Sequence, residues 1–299
     1  MAITRRHFLL STLALAGATT IGAAPAHARP VIGKVLDYSA GVPSGRAVAA
    51  AGYIGAVRYV STARPGAAWM LGKPVRRTET NDFAANKLSI ASVYQFGVGP
   101  TADWRAGAAG AAQHVPQAIA LHRAAGGPIN RPIYMAIDDN PTRAQYLQQI
   151  KPFLVASQTA LAAAGYQLGV YGNYNVVDWC VNDGIGQFYW MHDWGSQGRI
   201  HPRANIHQLP QNRQVTVDGI TCDVNDVFTR DWGQWSPGVV APRVPETHTD
   251  TTIEQPIYNP ELTAPLGDAL GLNPEEQQAL NELGPLLGKL AGGGSSLSS

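Results

Sequence analysis

Charge is scarce in this chain. Only 14% of its 299 residues are charged, and the formal net charge is +1. A surface so near neutrality has no field with which to gather nucleic acid or an acidic membrane, and no basic run occurs outside the N-terminus, so neither is expected as a partner. Cysteine is scarcer still. Cys180 and Cys222 are the only two, which excludes a disulfide scaffold even in an oxidising compartment. HxH and HExxH spacings are missing, so no metal site is expected. The stretch LDYSAGVPSG after the first apolar run lacks the GxGxxG of a dinucleotide-binding sheet. No cofactor is expected.

What is present starts with an address. In TRRHFLLSTLALAGATTIGAAPAHA, Arg5-Arg6 stand directly before an uncharged apolar stretch that closes on Ala26-His27-Ala28. This is the pattern of an export signal spanning residues 1–28, and the paired arginines followed by Phe8-Leu9 are of the twin-arginine kind, which implies export by the twin-arginine translocase. The alternative is a permanent membrane anchor. The short, alanine-rich stretch and the small-x-small end favour cleavage near Ala28. The absence of cysteine in the segment argues against a lipid anchor. The mature protein is expected to be secreted or associated with the cell envelope.

From Val31 to Trp235, short apolar runs alternate with helical stretches. The runs are GKVLDYS, GAVRYVS, LSIASVYQFG, RPIYMAID, QLGVYGN, QFYWMHDW, NIHQL and GITCDVND. Between them, residues 101–125 read as a helix with Thr101 as N-cap and Gly126-Gly127 as the stop, residues 142–164 as a second ending at Gly165, and residues 175–182 as a short third. The stretches GSQGRIHPRA and PQNRQVTVD read as loops. Strands alternating with helices imply parallel pairing, and eight in about two hundred residues predict an α/β fold: a small TIM-like (β/α) barrel of eight strands whose late crossover helices are reduced. An open doubly wound sheet is the structural alternative. Residues 236–272 change to a Pro/Thr-rich composition and read as a linker. Residues 273–299 offer Asn273 as N-cap, Pro274 at the first helical position and leucines at 280, 283, 287 and 290. That is a short amphipathic helix, broken near Gly284-Pro285 and followed by a disordered Gly/Ser tail. The leucine stripe needs a partner: the barrel surface, another chain or the envelope.

In a barrel, side chains alternate between interior and helix layer, and sites gather where strands end. The runs deliver Asp37, Arg58, Tyr94-Gln95, Asp138, Tyr171 with Asn173, Trp190 with His192, Gln208, and Asp223 with Asn225 beyond it. Any one of these has an ordinary structural explanation. Arg58 could simply pair with Asp37, and the aromatics could simply pack. Eight together point to a pocket. The same alternation turns Cys222 outward and separates it from Cys180, so no bridge is expected.

Three carboxylates, Asp37, Asp138 and Asp223, with aromatics at the rim form an inventory suited to glycoside hydrolysis. One acid stays protonated for the leaving oxygen, while a second stays ionised as base, nucleophile or stabiliser. Tyr171, Trp190 and Trp194 offer flat faces for sugar rings. Asp139, Asn140, Asn173 and Gln208 could hydrogen-bond a sugar.

The motifs LDYSAG, VRYVS, VYQFG, IYMAIDDNP, GVYGN, YWMHDWG, IHQL and CDVND together resemble a glycoside hydrolase-like family of twin-arginine-exported actinobacterial proteins, itself similar to the family 25 lysozymes. The resemblance implies a small barrel acting on a cell-envelope polysaccharide, peptidoglycan above all. It implies Asp37 as the first-strand acid, Asp138 as the first acid of an Asp-x-Glu, Asp223 as the last-strand acid and Gln208 as the polar seventh-strand position. One departure stands out: Asn140 occupies the position of the proton-donating Glu. Either Asp138 or Asp139 then takes the acid role, or the site binds glycans without cleaving them. With catalysis retained, the expectation is Asp138 as acid, Asp37 as base or stabiliser and Asp223 as the charge that tunes them. A third possibility is a metal-dependent hydrolase built on Asp37, Asp138, His192 and Asp223, whose oxygen-rich set would suit Mg²⁺ or Ca²⁺.

Overall fold

The protein is described from a computed structural model in which residues 29–239 are defined. The expected export signal and its cleavage point, nearly all of the expected Pro/Thr-rich linker and the expected C-terminal amphipathic helix lie outside the described residues. The barrel unit begins at Val31.

Strands β1 (Gly33–Asp37), β2 (Gly55–Tyr59), β3 (Ser89–Tyr94), β4 (Pro132–Ala136), β5 (Gln167–Gly172), β6 (Phe188–His192) and β7 (Ile206–Gln208) pair in sequence, each parallel to the next. The helices α1 (Gly45–Ala50), α2 (Arg77–Ala85), α3 (Ala108–Ala124), α4 (Arg143–Gln145), α5 (Lys151–Ala163) and α6 (Tyr174–Asn182) alternate with the strands up to β6. After β6 only loops and a short 3₁₀ turn connect the strands. The ring is closed by β9 (Ile220–Val227), which lies between β7 and β1 and is antiparallel to both. The result is a closed eight-stranded barrel, and the expected fold class holds.

The direction of the eighth run differs from the parallel reading. Only eleven residues separate Gln208 from Ile220, and a parallel return needs a crossover of a dozen or more. The chain therefore reverses at the mouth. It does so through β8 (Val215–Val217), a short strand that pairs with β9 outside the ring. Asp218 and Gly219 turn the hairpin with φ of 54° and 77°, the double left-handed conformation of a type I′ turn, which Asp-Gly tolerates. Residues 210–218, read as a loop, thus contain a strand.

Local chemistry sets the helix starts. Thr142 caps α4 through its hydroxyl to the Gln145 amide (3.2 Å), and the Gln145 side chain returns to the Thr142 amide (2.8 Å). One π turn, Tyr146–Ile150, joins α4 to α5. The helix expected from Thr101 instead begins at Ala108. Gly107 (φ 57°, ψ −136°) cannot continue a helix, and the preceding chain is pinned by Asp103, whose carboxylate accepts the Phe96 and Gly97 amides at 2.8 and 2.7 Å. The barrel interior holds Val35, Val57, Ala91, Val93, Tyr134, Ala136, Tyr171, Trp190, Ile206 and Val227. A larger apolar cluster fills the space between strands and helices. Cys180 in α6 and Cys222 in β9 are buried free thiols of that outer layer.

Candidate active site

Asp37 ends β1 with Val35 two positions before it on the inner face. Its register partner is Asp223, directly opposite on β9. Because β9 runs backwards, the first half of this strand reaches the mouth where the other strands end. Asn225 therefore lies deeper than Asp223, not beyond it. One Asp37 oxygen, Oδ2, accepts from Asn225 Nδ2 (2.8 Å) and from Gln208 Nε2 (3.0 Å), and the Gln208 oxygen accepts from the Tyr171 hydroxyl (2.7 Å). Asp223 accepts from Gln214 Nε2 at 2.7 Å. Asp138, after β4, accepts from Gln95 Nε2 at 2.9 Å, and the nearby Trp194 indole favours its charged form.

Two phenols lie within the field of all three acids. Tyr59 and Tyr171 each feel the charges of Asp37, Asp138 and Asp223, which lift both hydroxyls above an already strong rise from burial. Tyr59, Tyr171, Gln95, Gln208, Asp138, Asp223 and Trp194 line a cleft of about 410 Å³. Asp37 lies beneath it, 1% exposed.

No guanidinium or ammonium contacts these three carboxylates among the described residues, and all three have raised pKa values. Burial pushes Asp37 to about 7, the charge of Asp223 adds to it, and the amide bonds from Asn225 and Gln208 oppose it. Burial also raises Asp138, with Asp139 adding, and raises Asp223. Behind Tyr59 lies Lys73, its ammonium 3.7 Å from the ring centroid and donating to the Gln95 carbonyl at 3.0 Å. Burial, with Arg64 and Arg58 nearby, lowers this amine to about 7.

Several expected site residues sit elsewhere. Arg58 faces the helix layer, because the phase set by Val57 turns Tyr59, not Arg58, inward. It is fully buried against Glu79 of α2 and the carbonyls of Tyr38 and Gly72, so its ion-pair partner is Glu79 and not Asp37. Tyr94 also faces outward, bonded to His114 Nδ1 and Gln117 Oε1, both at 2.9 Å; its neighbour Gln95 takes the cleft position. Trp190 points inward but too deep, 1% exposed under Tyr171 (ring centroids 4.3 Å apart), with its indole on Asn225. It cannot offer a face to a sugar. His192 is buried and held neutral, burial lowering it to about 3; it stacks on Trp194 at 4.4 Å with planes 13° apart. Asp139 turns from the cleft toward Arg105, at 3.5 Å. Asn173 caps α6 through the Val176 amide (2.9 Å) and donates to Asn140 Oδ1 (2.9 Å). Asn140 itself is exposed and lines a second, adjoining cleft.

Tyr59 is absent from the sequence expectation, and Gln95 is named there only beside Tyr94, although strict alternation from Val57 and Val93 reaches both. Gln214 comes from the β7–β8 connection, where no periodic signal exists. The set Asp37, Asp138, His192 and Asp223 does not form a metal-ligand group: among the described residues no three or more His, Cys, Asp or Glu side chains are arranged to hold an ion.

Comparison with known proteins gives consistent matches. Residues 46–227 match the model of the "Rv2525c-like, glycoside hydrolase-like domain" family. The Mycobacterium tuberculosis protein named "Putative peptidoglycan hydrolase Rv2525c" is 44% identical over 245 residues, covering 79% of this chain and all of that protein. The crystal structure of the Mycobacterium tuberculosis Tat-secreted protein Rv2525c in complex with L-tartrate superposes with a TM-score of 0.65 at 46% identity, covering 68% of this chain and 99% of that one.

Proposed function

Because the chain belongs to the Rv2525c-like, glycoside hydrolase-like domain family, we propose that it is an exported glycosidase of the cell envelope that cleaves the sugar backbone of peptidoglycan. The observation that carries this is the convergence of Asp37, Asp138 and Asp223 around Tyr59 and Tyr171 with no cation in contact with them among the described residues. Crowded, desolvated carboxylates share protons unequally near neutral pH, which is what acid–base cleavage of a glycosidic bond requires.

Asp138 is the proton donor in this reading. It opens on the cleft, its pKa is raised, and Gln95 fixes its orientation. Exposure exchanges the roles that the sequence suggested for the other two acids. Asp223 lines the cleft and can reach substrate or a water as the ionised partner, whereas Asp37 is sealed beneath and holds or releases the proton that sets the charge facing Asp223. Trp194, 55% exposed, is the platform for a sugar ring. The paired arginines at the N-terminus and the Tat-secreted relative support export; replacing Arg5 and Arg6 with lysines should retain the protein in the cytoplasm.

The test is release of new reducing ends from purified peptidoglycan. Wild type should release them and Asp138→Asn should not; equal release by both variants, or none by wild type, ends the catalytic reading. A second reading, glycan binding without cleavage, is favoured by Asn140 standing where lysozymes carry their acid. It predicts retention on insoluble cell wall with no product, abolished by Trp194→Ala.

A further inference from the structure

Lys73, in the connection between β2 and α2, is a cation without an ion pair. No carboxylate pairs with its half-buried ammonium among the described residues; its contacts are the Tyr59 ring, 3.7 Å to the centroid, and the Gln95 carbonyl at 3.0 Å. An unpaired buried charge costs stability, yet the backbone on either side of it is pinned. The Gly72 amide donates to the Ser39 carbonyl at 2.8 Å, the Gly72 carbonyl accepts from Arg58 at 2.6 Å, and the Val75 amide donates to the Tyr59 carbonyl at 2.9 Å. The fold holds this lysine in place from both directions.

What it holds in turn is Gln95. That residue stands one position beyond β3, past the last ladder residue Tyr94. Its carbonyl accepts instead from two side chains, Ser61 Oγ at 2.7 Å and Lys73 Nζ at 3.0 Å, which use both lone pairs. Its side-chain amide donates to Asp138 Oδ2 at 2.9 Å. With Oδ2 marked as the accepting oxygen, Oδ1 is the one left to carry a proton. The ammonium also acts through space. Burial raises the Asp138 carboxyl, the Gln95 bond lowers it, Asp139 raises it, and the Lys73 charge lowers it. The charged groups facing Lys73 are Arg64 of its own connection, Arg58 of β2, Asp103 before α3 and Asp138 after β4.

We propose that Lys73 is a positioning residue for the proton donor: from behind Tyr59 it fixes the Gln95 backbone, and through the Gln95 amide it fixes the Asp138 carboxyl. This rests on the reading of Asp138 as the acid. Lys73 does not line the cleft, so it acts on the acid and not on the sugar.

Three variants of the full chain test this. Lys73→Met removes both the hydrogen bond and the charge, Lys73→Arg keeps the charge, and Ser61→Ala removes the other bond to Gln95 but no charge. Each is read twice: by kcat and KM for reducing-end release, and by a ¹³C NMR titration of the Asp138 carboxyl, assigned with Asp138→Asn. Lys73→Met should lower kcat about 10–100-fold at unchanged KM. It should also move the Asp138 titration to higher pH, because a cation that opposed protonation is gone. Ser61→Ala should lower kcat less and leave the titration in place, and Lys73→Arg should titrate as wild type does. A slow Lys73→Met whose Asp138 titrates normally marks a purely structural lysine and overturns the proposal, as does a wild-type rate. If Lys73→Met does not fold, Lys73→Gln, which keeps a donor and drops the charge, must show the same upward titration. If wild type releases no reducing ends, the glycosidase reading falls by itself. The titration needs no substrate, and it then decides whether Lys73 governs Asp138.

Discussion

Two buried charge centres lie back to back on β1 and β2, and they are built by opposite rules. On the outer face, the Arg58 guanidinium meets the Glu79 carboxylate, two backbone carbonyls and the ring of Tyr38, whose centroid is 3.9 Å away; the Tyr38 hydroxyl also binds Glu79 at 2.9 Å. Charge and hydrogen-bonding capacity are satisfied there. On the inner face, Asp37, Asp223 and Asp138 have amides, a phenol network and an indole for company but no cation in contact. A buried pair serves the fold. Buried like charges held together with no cation in contact cost stability, and the fold carries that cost where chemistry is done.

This contrast is broken most severely at Asp138. Asp138→Asn should lower the rate of reducing-end release about 10²–10⁴-fold and leave the thermal midpoint unchanged or higher, since it removes a desolvated carboxyl. A fall in stability matching the loss of activity would mean that Asp138 belongs to the structural kind of centre.

The reciprocal case is Arg58. Arg58→Met strands the buried Glu79 and should cost about 3–5 kcal/mol in denaturant unfolding. The double variant Arg58→Met/Glu79→Leu should recover a large part of that loss, because removing both charges also removes the desolvation penalty. Because the Arg58 charge also lowers Asp37, both variants should shift the pH dependence of any surviving activity slightly upward.

The distinction was only partly legible in the sequence, for reasons visible in particular residues. Alternation with an apolar residue two positions earlier placed Asp37 and Asp138 at strand ends on the inner face. It misplaced Arg58 and Tyr94, because a conspicuous polar residue was allowed to set the phase where Val57 and Val93 should have done so. Alternation also gives a face but not a depth, and Trp190 occupies an inward position that the strand buries beneath Tyr171. A period-two pattern reads the same in both chain directions, so the reversal of β9, which brings Asp223 opposite Asp37 at the mouth and sends Asn225 below it, left no trace in the spacing. Strand β8, three residues long, is shorter than any periodic signal; only Asp218-Gly219 marked its turn.

Asp37 sharpens the comparison through pH. Unfolded, its carboxyl releases its proton near the usual value of about 3.9; folded, burial and Asp223 hold that proton until about pH 7. Between those values the folded state binds more protons than the unfolded one, so this group's contribution to stability is greatest at acid pH and declines as pH rises from about 4 to about 7, then levels off. Asp37→Asn should remove that decline and gain about 1–3 kcal/mol at pH 8. The check is a series of denaturant midpoints against pH for the two proteins. Parallel curves would place Asp37 among compensated groups after all. Asp223→Asn should shift the descent toward lower pH, because the second-largest cause of the raised value is then gone.

The smallest effect is expected at Tyr94, on the outer side. Its hydroxyl bridges His114 and Gln117, and both partners are tied to other groups: Gln117 donates to the Gln113 carbonyl at 3.2 Å, and His114 lies 3.6 Å from Asp103. Tyr94→Phe therefore removes hydrogen bonds without stranding a charge and should cost about 0.5–1.5 kcal/mol, with reducing-end release and its pH profile unchanged. Tyr171→Phe, one strand face inward, is the matched control. It cuts the link to Gln208 that supports Asp37, so it should cost no more in stability than Tyr94→Phe yet alter the pH profile of release. Were both phenylalanine variants to behave alike in that profile, the inner and outer hydroxyl networks would be the same kind of structure, and the division between compensated and uncompensated charge would fail at the point where geometry draws it most finely.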